Sequence, residues 1–263
     1  MKLLGVVNVT PDSFSDGGRW LDPGAAVAHA TTLLDEGADA VDVGGESTRP
    51  GSGGVSLDEE LRRVIPVIRG ILAARPGAVV SVDTSKAAVA RAALDVGATW
   101  VNDVTGLGDP DMAGVCARAG ANLVVMHLRG TPATMQDDTR YADLVGEVAD
   151  QLRQRARQAE AAGVARERIV VDPGLGFGKD PLDNPALIAA VPRFKALGYP
   201  VMIGASRKGF VGRLTGVTQA ADRVFGSVGA ALAAAEAGAD WLRVHDVRAT
   251  REALVVFEAC RGR

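Results

Sequence analysis

Cysteine is scarce in this sequence: Cys116 and Cys260 are the only two in 263 residues. Two thiols so far apart, with no metal-ligand spacing around them, exclude a disulfide-stapled scaffold and a zinc site and fit a reducing compartment. Long apolar runs are missing as well. None approaches the roughly 20 residues that span a bilayer, so no membrane partner is expected. The first apolar run opens at Leu3, leaving no room for a signal peptide before it, and the expected location is cytoplasmic. There is no basic block and the formal net charge is -3, which removes the electrostatic footprint of a nucleic-acid binder. Linkers and low-complexity tracts are also lacking, so residues 1–263 read as one domain.

What is present is a core. The chain is 47% hydrophobic and 23% charged, enough apolar surface to exclude a disordered chain. Short apolar runs alternate with longer helical patterns. The runs are Leu3–Val9, Ala40–Val43, Val79–Val82, Trp100–Asn102, Leu123–Met126, Ile169–Val171, Val201–Ile203 and Trp241–Val244, eight in all. Their continuous apolar character suits parallel strands covered by helices, and the length suits a single (β/α)8 TIM barrel. An open doubly wound sheet is the alternative that periodicity alone leaves standing.

Helix punctuation supports this reading. Asp22-Pro23 reads as an N-cap followed by proline at the first helical position. Ser56-Leu57-Asp58-Glu59 reads as a capping box in which serine and glutamate satisfy each other's amides. Gly37-Ala38, Gly97-Ala98, Gly120-Ala121 and Gly238-Ala239 each close a helix just before a strand. His29 lies inside a helical pattern and reads as an ordinary helix residue, and Gly226–Ala235 reads as a tightly packed helix.

In such a barrel the active site lies at the carboxyl ends of the strands. Those ends carry Asn8, the stretch from Gly44 to Arg49, Asp83, Asn102-Asp103, His127, Asp172, Ser206-Arg207-Lys208, and Arg243 with His245. Singly, each has an ordinary explanation. Asp42, inside a strand, could only brace a loop, and Asn102 or Asp103 could be turn residues. Delivery of a polar group by every strand to one rim is the functional signal. Two long glycine-rich loops follow strands 1 and 2, from Asn8 to Gly18 and from Gly44 to Gly54; long loops at an active face are commonly lids. Asp172-Pro173-Gly174-Leu175-Gly176-Phe177-Gly178-Lys179 has glycines like a P-loop but lacks its Gly-Lys-Ser/Thr end, which rules out that nucleotide site. Asp172 and Asn102 offer acceptors and donors to the edge of a flat, amide-rich heterocycle. Arg243 and His245 can grip phosphate oxygens.

Five stretches together carry a resemblance. Asn-Val-Thr-Pro-Asp-Ser-Phe-Ser-Asp-Gly-Gly from Asn8, Asp42-Val-Gly-Gly-Glu-Ser-Thr-Arg-Pro-Gly51, Asp172-Pro-Gly-x-Gly-Phe-Gly-Lys179, Ser206-Arg207-Lys208 and Arg243-x-His245-Asp246-Val247 are similar to the motifs of dihydropteroate synthases. They occur in family order. The resemblance implies a transferase that condenses 6-hydroxymethyl-7,8-dihydropterin diphosphate with p-aminobenzoate, giving 7,8-dihydropteroate and diphosphate by a dissociative displacement. It implies that Asp83, Asn102, Met126, Asp172 and Lys208 hold the pterin, and that Asn8, Arg243 and His245 hold the diphosphate. Asn8 would also ligate Mg2+, the one cofactor implied. Phe14, Thr48, Arg49, Pro50, Phe177 and Ser206 would surround p-aminobenzoate. Asp83, Lys208, Arg243 and His245 would be the catalytic set, and the assembly would be a homodimer.

Gly209 after Lys208 and the Ser52-Gly53-Gly54 stretch depart from the commoner pattern and suggest greater loop mobility. Two rivals share the pterin-holding positions: a methyltransferase passing a methyl group from a reduced folate to a corrinoid, and a non-catalytic pterin-binding paralogue. The first would not need the Ser-Thr-Arg-Pro loop or Ser206-Arg207-Lys208. The second would not need every catalytic position filled.

Overall fold

A computed structural model of the chain describes residues 1–10, 22–47 and 54–262. Most of both glycine-rich loops therefore lies outside the described residues, and with them Phe14, Thr48, Arg49, Pro50, Ser52 and Gly53. The described chain alternates strands β1 (Lys2–Asn8), β2 (Ala40–Gly44), β3 (Val80–Asp83), β4 (Trp100–Asp103), β5 (Asn122–Met126), β6 (Ile169–Asp172), β7 (Met202–Ile203) and β8 (Trp241–Val244) with helices. These are α1 (Pro23–Asp35), α2 (Leu57–Ala74), α3 (Ala87–Asp95), α4 (Met112–Ala119), α5 (Leu144–Ala161), α6 (Asn184–Ala189), α7 (Val191–Lys195), α8 (Gly209–Thr215), α9 (Val224–Glu236) and α10 (Val247–Cys260).

All eight strands are parallel in the order β6-β5-β4-β3-β2-β1-β8-β7. A parallel bridge between Val171 and Val201 joins the two ends of that order and closes the barrel. The open-sheet alternative is thereby removed. Strand alternation divides the apolar residues into two populations, because successive side chains point to opposite faces. Leu3, Val7, Val41, Val43, Val80, Val82, Leu123 and Ile169 face outward and pack with the helices in the larger cluster. Leu4, Ala40, Val124, Val170, Met202 and Trp241 face the axis, joined by Val79 and Trp100. The Trp100 and Trp241 rings meet edge to face at 4.8 Å and plug the lower half. Each fully buried aliphatic side chain in either layer contributes about 1.5–3 kcal/mol relative to an exposed one.

The caps follow the sequence with one correction. Asp22 accepts from the Gly24 amide at 2.8 Å, with Pro23 beginning α1. Gly37, Gly97, Gly120 and Gly238 take φ of 100°, 109°, 61° and 94°. The alanine after each donates back five residues, to the carbonyls of Leu33, Ala93, Cys116 and Ala234, which satisfies carbonyls the helix end leaves free. At α2 only half of the expected box forms. Ser56 Oγ accepts from the Glu59 amide at 3.3 Å, but the Glu59 carboxylate turns to Arg63 at 2.9 Å and Arg62 at 2.8 Å. Two guanidinium groups outcompete a neutral amide for a carboxylate. Gly209 is the first residue of α8 rather than part of a loop, and a Cβ there would touch nothing within 4 Å. His29 sits exposed in α1. Among the described residues no helix is long and apolar enough to cross a membrane.

Candidate active site

Two residues above the apolar floor, the same inward positions turn polar. Ala40 is followed by Asp42, Val79 by Ser81, Trp100 by Asn102, Val170 by Asp172 and Trp241 by Arg243. One step higher come Asp83, Ser206 and His245. The register runs Asn8 to Gly44 to Asp83 to Asn102 across neighbouring strands, so these residues lie side by side around the mouth. Asp83, Asp103 and Asp172 are the last residues of β3, β4 and β6, at the strand ends where the sequence puts them, and Gly44 ends β2.

Arg243 organises one side. Its Nε donates to Asp42 Oδ2 and its Nη2 to Asp83 Oδ2, both at 2.7 Å. Asn102 Nδ2 donates to Asp42 Oδ2 at 2.9 Å, and Asn102 lines a cavity at the barrel mouth. Burial pushes the Asp83 carboxyl up to about 7; the nearby carboxylates of Asp42, Glu60 and Asp103 add to this, and the Arg243 guanidinium opposes it. Asp42 was the residue whose role the sequence left open, and it is the fully buried acceptor that orients both Arg243 and Asn102.

Lys208 lines the same cavity as Arg243. Its Nζ donates to the Leu175 carbonyl and stands 4.3 Å from the centre of the Phe177 ring, an attractive placement for a cation. Burial lowers its pKa to about 8, with Asp172 opposing that shift and Arg243 adding to it. Asp172 Oδ1 accepts from the Gly174 amide at 2.7 Å, and burial raises its pKa despite Lys208. Gly174 has φ 67°, and a Cβ there would lie 2.1 Å from the His127 carbonyl oxygen, so only glycine allows this turn. The His245 amide donates to Ser206 Oγ at 3.1 Å, and His245 Nδ1 lies 3.0 Å from the same oxygen. With the serine hydroxyl donating to Nδ1, the ring would present Nε2–H as a donor. Burial, then Arg243 and Arg207, hold the His245 pKa down at about 3. The imidazole is neutral and offers a hydrogen bond rather than a charge.

A cavity of about 50 Å³ collects these groups; Asn102, Met126, Asp172, Phe177, Ser206, Lys208, Arg243 and His245 all line it. Val104, Met126 and Phe177 form its apolar wall. Asp83 reaches it through Arg243 and lines an adjoining cavity of about 190 Å³ with Glu46, Ser47, Thr84, Ser85 and Thr105. That cavity is larger but lacks Lys208 and Arg243, so the smaller one is where the cationic groups and the acceptor edge converge.

Not every rim residue joins. Asp103 turns outward and accepts from the amides of Thr105 at 2.9 Å and Leu107 at 2.7 Å, the ordinary turn role that Asn102, on the inward face, does not play. Arg207 binds Asp246 at 3.0 Å, and His127 pairs with Lys179 beneath the mouth. The sequence reading passed over a buried network of Thr84 on Glu60 at 2.5 Å, Lys86 on Glu60 at 2.6 Å, and Lys86 on Glu46. Glu46 lies in the motif of residues 42–51, whereas Thr84, Lys86 and Glu60 belong to no motif, and only their contacts mark them.

Fold and pocket first define a class: a parallel (β/α)8 barrel enzyme with a polar site at the carboxyl ends of its strands. The comparisons then narrow it. Residues 4–245 match the family described as pterin binding enzyme. The dihydropteroate synthase of Neisseria meningitidis serogroup B is 47% identical over 264 residues, covering 98% of this chain and 92% of the relative. The structure of Xanthomonas albilineans dihydropteroate synthase with 4-aminobenzoic acid is 48% identical, with TM-score 0.93 over 99% of this chain and 93% of that one. The same organism's enzyme in complex with 7,8-dihydropteroate is 46% identical, with TM-score 0.90 over the same shares. The chain belongs to the dihydropteroate synthase family of pterin-binding enzymes.

Proposed function

We propose that the chain condenses 6-hydroxymethyl-7,8-dihydropterin diphosphate with p-aminobenzoate, forming 7,8-dihydropteroate and diphosphate. One observation carries the reading: a single cavity joins the acceptor edge of Asn102 and Asp172 to the cations of Lys208 and Arg243. Asn102 and Asp172 would pair with the amide-like edge of the pterin, Met126 would pack on its face, and Lys208 would donate to it. Asn8, Arg243 and the His245 Nε2–H would take the diphosphate. Phe177 and Ser206 would border the amine, together with Phe14, Thr48, Arg49 and Pro50.

The reaction breaks the bond between the hydroxymethyl carbon and the diphosphate oxygen, and the electron pair leaves with the oxygen. Arg243 stabilises the departing charge, and Asp83, bonded to that guanidinium at 2.7 Å, stabilises the cation spread over the pterin. The amine lone pair then closes the carbon–nitrogen bond and the nitrogen sheds a proton. An aniline nitrogen is neutral beforehand, so no strong base is required.

The residues suit Mg2+. Gly44 has no side chain where a Cβ would stand 3.8 Å from Asn8 Oδ1 and 3.6 Å from Asp83 Oδ2, and Mg2+ takes one or two protein oxygens beside phosphate oxygens and waters. Asn8 would hold it, and the bound ion would neutralise diphosphate charge.

The test is diphosphate release from the pterin substrate with and without p-aminobenzoate. Release that requires the amine and equals the dihydropteroate formed is expected; binding without release would mark a silent paralogue. We place the reaction in the cytoplasm, in keeping with Cys116 and Cys260 standing as free thiols. The assembly is a homodimer in this reading. Ser227, Ala231 and Ala234 turn inward from α9, while Phe225 is 91% exposed and Leu214 of neighbouring α8 is 58% exposed, an apolar face suited to a second copy. Sedimentation as a monomer at micromolar concentration would remove it.

A further inference from the structure

Lys179 is only 1% exposed; burial pushes its pKa well below the ordinary lysine value, with Lys208 adding to this and Asp172 opposing it, and a buried amine is costly unless its donors are used. Its Nζ donates to the Gly174 carbonyl at 2.9 Å and the Phe177 carbonyl at 2.7 Å, and lies 2.8 Å from His127 Nδ1. The His127 carbonyl lies at 3.5 Å as a fourth acceptor; when Lys179 donates to His127 Nδ1, the histidine is neutral with its proton on Nε2. Burial, followed by the charge of Lys179, holds the His127 pKa down at about 3, which agrees.

The acceptors Lys179 takes belong to one turn. Every carbonyl from Gly174 to Gly178 meets a side-chain donor: Lys179 on Gly174 and Phe177, Lys208 on Leu175, Gln136 on Gly176 at 3.3 Å, and Tyr141 on Gly178 at 2.7 Å. The turn has one backbone bond of its own, from the Phe177 amide to the Gly174 carbonyl at 3.1 Å, and side chains supply the other donors. Lys179 supplies two of its donors from below, while Lys208 supplies one from the pocket side. His127 directly follows Met126 of the pocket wall, so the same ammonium ties the end of β5 to the turn after β6.

We propose that Lys179 is a positioning residue for the condensation. It holds the turn so that Phe177 meets the amine and the Leu175 carbonyl holds Lys208 against the pterin. This rests on the roles given above to Phe177 and Lys208.

The experiment compares steady-state kinetics of Lys179→Met, His127→Leu, His127→Gln and Phe177→Ala, with circular dichroism to establish folding. In folded Lys179→Met, loss of the two hydrogen bonds to the turn raises KM for p-aminobenzoate about tenfold while kcat stays within about threefold. A residue that only stabilised the fold would lower the melting temperature and leave KM alone, and that result overturns the proposal. Should Lys179→Met not fold, the histidine pair decides. His127→Gln keeps an acceptor and holds KM near the unmodified value, whereas His127→Leu leaves one ammonium hydrogen unpaired and raises it; identical behaviour of the two overturns the proposal. Phe177→Ala separates the layers of the argument. If it raises KM for the amine and Lys179→Met does not, the positioning role fails and the amine site stands; if neither moves, the assigned amine site falls.

Discussion

The lower and upper halves of this barrel are built by the same strands on the same inward parity, yet they hold opposite materials. Below, Leu4, Val124, Val170, Met202 and the two tryptophans pack without a polar atom in need of a partner beyond the indole N–H groups. Above, Asp42, Asn102, Asp83 and Arg243 interlock through bonds of 2.7–2.9 Å. Burial of apolar surface favours folding, whereas burial of ion pairs is close to neutral or unfavourable compared with an apolar replacement. The floor therefore stabilises the barrel, and the mouth retains charges that a purely structural barrel would replace. That asymmetry separates function from stability in a testable way.

The largest effect is expected at Arg243. Arg243→Met removes the cation shared by two buried carboxylates, leaving Asp42 only the Asn102 amide and costing about 3–5 kcal/mol, and with the diphosphate cation gone kcat/KM falls on the order of 1000-fold. Adding Asp42→Leu and Asp83→Leu should recover most of the stability and none of the activity; denaturant melts beside steady-state rates decide this. Next comes Asp83→Asn, where kcat drops on the order of 100-fold with one preorganised partner lost. Near-normal turnover in that variant would remove the role given to Asp83.

A smaller, graded effect follows from pH. With Asp83 raised to about 7 and Lys208 lowered to about 8, the working charges are an ionised carboxylate and a protonated amine. kcat/KM for the pterin substrate should rise toward pH 7 and fall beyond pH 8, by about tenfold per unit on each limb. Asp83→Asn should remove the acid limb alone. At the floor the pattern inverts. Leu4→Ala should cost about 2–5 kcal/mol in unfolding experiments, while kcat per folded molecule changes by no more than about twofold. A floor variant that lost activity in its folded fraction would contradict the division.

Much of this was legible beforehand because it follows from period and punctuation. All eight strands, the cap glycines and the inward mouth residues Asn102, Asp172, Ser206, Lys208, Arg243 and His245 could be read from runs and their ends. Long-range partners could not. Nothing local to Asp42 says that Arg243, 201 positions away, bonds to it. Nor does the motif around Lys179 reveal that it turns beneath the loop to meet His127, 52 positions earlier. The protonation of His245 was likewise hidden, because its lowered pKa depends on burial and on the two arginines beside it.

The central claim is that the mouth separates diphosphate from the pterin before the amine attacks. The direct measurement is positional isotope exchange, with heavy oxygen in the bridge between the hydroxymethyl carbon and the phosphorus, followed without p-aminobenzoate. Reversible cleavage in the mouth predicts that the label migrates into the non-bridging oxygens of the α-phosphate. A label that stays in the bridge, in enzyme that turns over normally once the amine is supplied, would contradict the claim.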